Sequence, residues 1–268
     1  MLRDARRGAA NGALECRLVF RAGCERCLVL QRRLRRLAAV SLLAFARRIW
    51  QRHRWSVPLS FLSAMFFARL GWELHEGELD AFDAGAQRLV DSCRGSFDGL
   101  MVFLTTAGDF TPMTLTVCVA LLLLFAAGRR RESRFLLWSS VGCLVLNVLL
   151  KLLFHRARPH AEPAYLLPRP ISFSFPSGHT MGSAGVLGSL AVVVRVLRPR
   201  RAVWLGFGVV NALAIVGVAL SRVYLGAHYP SDVLGGLFAA ASWISAVTGW
   251  VYPRLLPHER TTRAPTRP

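Results

Sequence analysis

Three short segments of the sequence carry basic, histidine and hydroxyl side chains of the kinds that bind and transfer phosphate. Lysine and arginine supply positive charge, and a guanidinium group can bind two oxygens of one phosphate. Three such cations without matching carboxylates predict an anionic ligand. Histidine can act as nucleophile or as general acid and base near neutral pH. The candidate site residues are Lys151, Arg158, Ser177, Gly178, His179, Arg222, His228 and Asp232.

Two local patterns predict how part of this set is arranged. Ser177 and Gly178 directly precede an apolar run; serine is a good helix N-cap, and glycine lets a ligand approach the backbone. A helix N-terminus offers unpaired N–H groups and partial positive charge, so this segment is expected to cradle phosphate. Asp232 follows His228 by four residues and opens another apolar run. We expect it to hold the imidazole in one tautomer, as the acid of a catalytic triad does.

The elements that must position these residues are long apolar runs. Each is close to the roughly 20 residues of helix needed to cross a bilayer, and 53% of the chain is hydrophobic. The sequence therefore predicts an all-α protein, a bundle of six transmembrane helices. The predicted spans are residues 55–72, 111–127, 135–154, 180–197, 202–220 and 233–251.

The distribution of charge predicts the orientation of the bundle. A net charge of +19 could indicate nucleic acid as a partner, but fourteen arginines precede Trp55 and most others lie in short links between spans. This pattern is typical of basic residues kept on the cytoplasmic side. We therefore expect no nucleic-acid partner, and both termini in the cytoplasm. The link 73–109 holds eight of the fifteen acidic residues and is expected to be a solvated outer loop.

Alternation of the spans explains how the candidate residues can meet. The end of the third span, the start of the fourth, the end of the fifth and the start of the sixth all reach the outer face. Because helix ends in a compact bundle are neighbours, the predicted site lies at the extracytoplasmic side of a cell membrane, the plasma or inner membrane. For three flanking residues, contact with the head group is the alternative to a solvated position in the loop, and the solvated position is expected; these residues are His155, Arg156 and His160.

The remainder of the chain divides simply. Residues 1–54 are predicted to form an arginine-rich cytoplasmic tail, residues 55–252 the membrane domain and residues 253–268 a second cytoplasmic tail. Cys24 and Cys27 form a Cys-x-x-Cys pair without a second pair or a histidine at zinc spacing. No metal site and no cofactor are expected.

The spacing of the motifs also resembles a known family. Six residues separate Lys151 from Arg158, and five and then three separate Arg222, His228 and Asp232. With the Pro-Ser-Gly-His segment, this resembles the signature of the type 2 phosphatidic acid phosphatase superfamily, which includes lipid phosphate phosphatases and is related to vanadium haloperoxidases. The resemblance extends over about residues 55–252, and no signature position departs from the pattern.

The resemblance implies a role for each candidate residue. His228 would attack phosphorus and form a phosphohistidine, Asp232 would stabilise its charge, and His179 would protonate the leaving lipid oxygen. Binding of the phosphate oxygens would fall to the remaining set, Lys151, Arg158, Ser177, Gly178 and Arg222. The expected partners are a phosphorylated lipid substrate and membrane lipids.

The sequence leaves several alternatives open. A phosphotransferase would pass the phosphoryl group to an acceptor other than water, and a non-catalytic scaffold or anion-binding membrane protein is a third class. Phosphatidic acid, phosphatidylglycerol phosphate and polyprenyl pyrophosphate all suit a site at the head-group plane. The sequence does not predict the oligomeric state.

Overall fold

The fold is taken from a computed structural model that describes residues 55–159, 172–197 and 199–251, apart from the side chain of the last residue. All regular secondary structure in these ranges is α-helical. The helices are α1 Ser56–Glu76, α2 Asp80–Asp91, α3 Asp98–Ala107, α4 Phe110–Ala126, α5 Arg130–Phe154, α6 Gly178–Leu197, α7 Arg201–Tyr224 and α8 Pro230–Val251. The predicted tails at 1–54 and 253–268 lie outside the described residues.

Four helices, α5 to α8, are long and apolar enough to cross a membrane. Helices α3 and α4 meet at a bend of 48° and would provide a fifth span if they act as one. The prediction of an all-helical membrane protein is therefore confirmed. The first predicted span falls in α1, which is not among these four or five, so the count of six stays a prediction.

Helix α8 lies at the centre of the bundle and packs against α1, α5 and α6. Its residue Gly236 approaches α6 so closely that an added Cβ would lie 2.9 Å from the backbone oxygen of Ser177. Only glycine permits the two helices to approach this closely. The close approach brings the N-terminus of α6 against α8. The apolar core between these helices includes Cys143, Met181, Ala184, Ala239 and Ala240.

Many large apolar side chains on the outer surfaces of the helices are exposed. Leu122, Leu153 and Leu213 are each 67–70% exposed. Such surfaces are costly in water but suit the hydrocarbon of a bilayer, where helices satisfy their backbone hydrogen bonds internally. The exposed apolar surface is thus the expected lipid-facing side of the bundle.

The link 73–109 is more ordered than a solvated loop, and that expectation is wrong. It contains α2 and α3, and Asp83 and Thr105 within it are only 2% and 3% exposed. Gln87 and Arg94 hydrogen-bond to the carbonyl groups of Val223 and Tyr224 at the end of α7. Helix α2 is amphipathic. Its polar side packs on the bundle, because the polar groups on that side form hydrogen bonds with buried partners there.

Candidate active site

The candidate site lies where the end of α5, the start of α6 and the loop between α7 and α8 meet. The backbone N–H of Ser177 donates to the carbonyl of Asp232 over 2.9 Å, which joins the segment before α6 to the first turn of α8. Asn147 of α5 donates to the carbonyl of Pro176 over 3.4 Å. These contacts bring the three sequence segments together at one end of the bundle.

His228 and Asp232 form a buried pair at the base of the site. They are 1% and 0% exposed, and His228 Nδ1 lies 3.3 Å from Asp232 Oδ2. Arg158 Nη1 lies 3.2 Å from the other ring nitrogen, Nε2. Because a guanidinium group only donates hydrogen bonds, Nε2 presents its lone pair and Nδ1 carries the proton that is donated to Asp232.

Burial keeps the imidazole of His228 neutral. Desolvation lowers its pKa to about 3, although the nearby carboxylate of Asp232 acts in the opposite direction. A neutral imidazole whose Nε2 carries no proton is the nucleophilic form of histidine. The imidazole of His228 is therefore neutral across the physiological pH range.

Arg158 is fixed by hydrogen bonds to the surrounding backbone. Its Nη1 donates to the carbonyl of Ala227 over 2.7 Å, and Nε and Nη2 donate to the carbonyl and hydroxyl oxygens of Ser172 over 2.8 Å each. Burial lowers its pKa from the usual arginine value, against the pull of Asp232. Its charge is held in one place beside Nε2 of His228.

Two further cations border the site. Lys151 donates to the carbonyl groups of Phe173 and Ser174. Arg222 is 3% exposed, and its Nη1 donates to Thr105 Oγ1 over 2.5 Å. Its Nε has no hydrogen-bond partner among the described residues. A buried guanidinium with a spare donor is a strong site for an anion.

The start of α6 places Ser177 and Gly178 beside these cations. Ser177 is fully buried, and its hydroxyl oxygen accepts a hydrogen bond from Thr180 Oγ1 over 3.0 Å. A side chain at Gly178 would lie 3.2 Å from Asn147 Oδ1 and 3.8 Å from Lys151 Cε. The first residue of α6 therefore lies beside the side chains of Asn147 and Lys151.

His179 lies at the more open side of the site. Its side chain is 26% exposed, and Nε2 is 3.5 Å from Asp109 Oδ1. Asp109 also caps α4 by accepting from the N–H of Phe110 over 2.7 Å. The two histidines thus differ in environment, one buried against a carboxylate and one near the surface.

Sequence reasoning missed several polar residues that support the site. Ser174 is fully buried and donates to Asp232 Oδ2, while Thr105 binds Arg222. Arg156 was expected to be solvated, which is wrong, since its side chain is 10% exposed and paired with two carboxylates. His155 is exposed and packs edge-on against Phe173, and His160 lies outside the described residues.

The acidic and histidine residues do not gather into a metal cluster in the described part of the chain. There, no group of three or more His, Cys, Asp or Glu side chains is arranged to hold a metal ion. Positive charge in the site comes from the lysine and arginine side chains described above.

Comparison with known proteins gives consistent matches. A model of the PAP2 superfamily matches residues 132–255. An undecaprenyl-diphosphatase of Sulfolobus acidocaldarius is 32% identical over 197 residues, covering 71% of this chain and 87% of that protein. Undecaprenyl-diphosphatase BcrC of Bacillus subtilis is 30% identical over 150 residues, covering 53% and 69% respectively.

A solved structure has a similar fold. It is the transmembrane PAP2 type phosphatidylglycerolphosphate phosphatase from Bacillus subtilis, with a TM-score of 0.65 and 25% sequence identity. The similarity covers 72% of this chain and 95% of that chain. It therefore extends well beyond the three motifs to the arrangement of the helices.

The low pKa of His228 predicts a pH dependence of stability. An unfolded histidine titrates near pH 6.5, whereas the folded one stays neutral until about pH 3. Between these values only the unfolded chain binds the proton, so stabilisation present above pH 6.5 is lost progressively as the pH falls. Relative to His228→Gln, we expect the wild type to lose about 1–3 kcal/mol more stability between about pH 7 and pH 4.5.

Thermal unfolding in detergent micelles at several pH values measures this difference. His75→Gln, which removes an exposed histidine from α1, is the matched control and should follow the wild type. Parallel pH profiles for the wild type and His228→Gln would contradict a buried neutral imidazole.

Proposed function

We propose that this chain, which belongs to the PAP2 superfamily, hydrolyses a lipid phosphomonoester or diphosphate through a phosphohistidine, without a metal ion. The observation that carries the proposal is the buried His228. Its Nε2 presents a lone pair, its Nδ1 faces a carboxylate, and fixed cations surround the position of an attacked phosphate. Relatives of this chain include undecaprenyl-diphosphatases and a phosphatidylglycerophosphatase, which supports a lipid phosphate as the substrate.

The first step is attack of His228 Nε2 on phosphorus. An N–P bond forms in line as the bond from phosphorus to the lipid oxygen breaks. That oxygen takes the electron pair and a proton from His179. Asp232 stabilises the positive charge that develops on the phosphorylated imidazole, because its carboxylate is already in place at Nδ1.

The second step returns the enzyme to its starting state. Water attacks phosphorus, His179 accepts the proton of that water, and the N–P bond breaks with its electron pair returning to Nε2. Through both steps, Lys151, Arg158 and Arg222 would neutralise the phosphate oxygens, together with the backbone at Ser177 and Gly178. Phosphoryl transfer depends mainly on such positioning and charge stabilisation.

Asp109 is suited to support the acid role of His179. Its carboxylate lies 3.5 Å from His179 Nε2. From there it can hold the imidazole ring in place while the other ring nitrogen transfers a proton to the leaving oxygen.

For the substrate, we place a polyprenyl diphosphate first and keep phosphatidic acid and phosphatidylglycerol phosphate as alternatives. Two relatives that match over more than two thirds of their own length are undecaprenyl-diphosphatases. The solved relative is a phosphatidylglycerolphosphate phosphatase, so the same fold also serves a phosphomonoester.

For the topology, we propose six spans with both termini in the cytoplasm and the site at the outer face. The arginine clusters between α4 and α5 and between α6 and α7 support this orientation. Helix α1, with 21 residues, would be the first span. This assignment divides the chain into the three segments predicted above: the N-terminal tail, the membrane domain and the C-terminal tail.

The first prediction from this proposed function concerns phosphate release by purified protein in detergent with EDTA present. We expect release from one of the three lipid classes, reduced at least about 10³-fold in His228→Ala because the nucleophile is lost. The exposed residue His75 gives a matched control, His75→Ala, which should keep wild-type activity.

Loss of wild-type activity in EDTA with recovery on adding magnesium would contradict a metal-independent mechanism. Full activity of His228→Ala would contradict the nucleophile. Transfer of phosphate to an added lipid acceptor, with little free phosphate, would instead indicate the phosphotransferase. No reaction with any lipid by folded protein would indicate the non-catalytic class.

The second prediction tests the acid role of His179 with two substrates. An alkyl phosphate has a poor leaving group that needs a proton, whereas p-nitrophenyl phosphate does not. We expect His179→Ala to lower kcat/KM about 10²–10⁴-fold for a long-chain alkyl phosphate and less than about 10-fold for the aryl ester. His155→Ala, at the exposed neighbouring histidine, should affect neither. Equal losses on both substrates would contradict the role.

The third prediction concerns orientation. In a version lacking the native cysteines, Glu78→Cys lies between α1 and α2, and Arg131→Cys lies at the start of α5. We expect a membrane-impermeant maleimide to label position 78 in intact cells and position 131 only after permeabilisation. The reverse result would overturn the proposed topology.

A further inference from the structure

A largely buried arginine that lies between Lys151 and Arg158, at a position that the motif leaves open, connects the catalytic carboxylate to α2. Arg156 Nη1 donates to Asp232 Oδ1 over 2.7 Å, and Arg156 Nη2 donates to Asp83 Oδ2 over 2.7 Å. The side chains are 10%, 0% and 3% exposed, in the order Arg156, Asp232 and Asp83. Three charges of alternating sign are therefore aligned away from water.

The connection is reinforced where α2 meets the first turn of α8. Asp83 accepts hydrogen bonds from the backbone N–H of Ser231 over 2.9 Å and from its hydroxyl over 2.6 Å. The guanidinium of Arg156 also lies over the ring of Tyr229, 4.1 Å from its centroid. Asp83 thus holds the residue next to Asp232 as well as the arginine that binds it.

The two carboxylate oxygens of Asp232 have different partners. Oδ1 accepts from Arg156, whereas Oδ2 accepts from Ser174, from the N–H of Tyr229 and from His228 Nδ1. This division fixes the rotation of the carboxylate. Because Arg156 binds Oδ1, the other oxygen, Oδ2, is the one that faces His228.

The charge balance also depends on Arg156. Desolvation opposes its charged form, but the charge of Asp232 and the hydrogen bond to Asp83 hold its pKa above the usual arginine value. Without it, two carboxylates would be buried close together without an opposing charge, which is strongly unfavourable. Both ends of this guanidinium are occupied by carboxylates, unlike Arg222, whose Nε has no partner among the described residues.

We propose that Arg156 and Asp83 are positioning residues for phosphoryl transfer, acting through Asp232 on the tautomer and orientation of His228. Helix α2 is then a part of the catalytic apparatus, attached to it through Asp83. This inference rests on the proposed function, since it assigns His228 as the nucleophile. Because neither residue binds the substrate phosphate, their loss lowers kcat and leaves KM nearly unchanged.

The test measures kcat and KM for the preferred lipid with Arg156→Ala, Asp83→Asn and the double variant. We expect kcat to fall about 10–100-fold in Arg156→Ala, as for other residues that orient a catalytic ligand, with KM changed less than about threefold. Asp83→Asn should lower kcat less, because Arg156 stays on Asp232. The loss in the double variant should be smaller than the product of the two single losses, because the two residues are in contact. Asp91→Asn, an exposed carboxylate of the same helix, is the control and should match the wild type.

Chemical rescue distinguishes positioning from a general structural role. Added guanidinium ion at millimolar concentration should restore kcat of Arg156→Ala several-fold, whereas urea, which has a similar shape and no charge, should not. If Arg156→Ala does not fold, Arg156→Lys replaces it. Lysine keeps the charge but lacks the planar fork that reaches two carboxylates, so kcat should still fall about 10-fold with KM unchanged.

The inference is overturned if folded Arg156→Ala or Arg156→Lys has the kcat of Asp91→Asn, or if the loss falls on KM. Equal rescue by urea and guanidinium would also overturn it. His228→Ala measured in the same series separates the two proposals. Activity of that variant would remove the nucleophile assignment itself, whereas an inactive His228→Ala beside a fully active Arg156→Ala would reject only the positioning role.

Discussion

The hydrogen bond between His228 and Asp232 is the interaction on which the rest of the site depends. A carboxylate that is 0% exposed is tolerated only when hydrogen bonds and opposite charge compensate its desolvation. Asp232 obtains them from a serine, a backbone N–H, an arginine and the histidine itself. The same contacts that make burial of the carboxylate possible also fix the orientation of the imidazole. The stability of the buried pair and the geometry of the site therefore have a common origin.

The helical bundle provides the conditions for this pair. Inside a bilayer, charged groups are costly and occur where other protein groups surround them. Here they lie at helix ends and in the connections between helices, with apolar side chains facing outward along the spans. The close approach at Gly236 brings the starts of α6 and α8 together. A site for a charged head group can therefore form at one end of an otherwise apolar structure.

Much of the fold and of the candidate site was predictable from the sequence. What sequence reasoning missed has a physical reason. Apolar runs and motif spacing are local signals, and they indicated the later helices and the residues that meet at their ends. The ordering of 73–109 was missed because its polar composition resembles that of a loop. Asp83 and Arg156 are 73 residues apart in sequence, and nothing near either residue indicates the other. The pairing of Arg222 with Thr105 was missed for the same reason.

The most direct test of the account is to trap the enzyme during turnover and locate the phosphate. Rapid alkaline quenching with labelled substrate, followed by peptide mapping, preserves a phosphohistidine and identifies the modified residue. The account predicts phosphate on Nε2 of His228, formed and lost at rates that match turnover, and none in His228→Ala. Phosphate on another residue, or turnover in which oxygen-isotope stereochemistry at phosphorus indicates a single direct displacement by water, would contradict it.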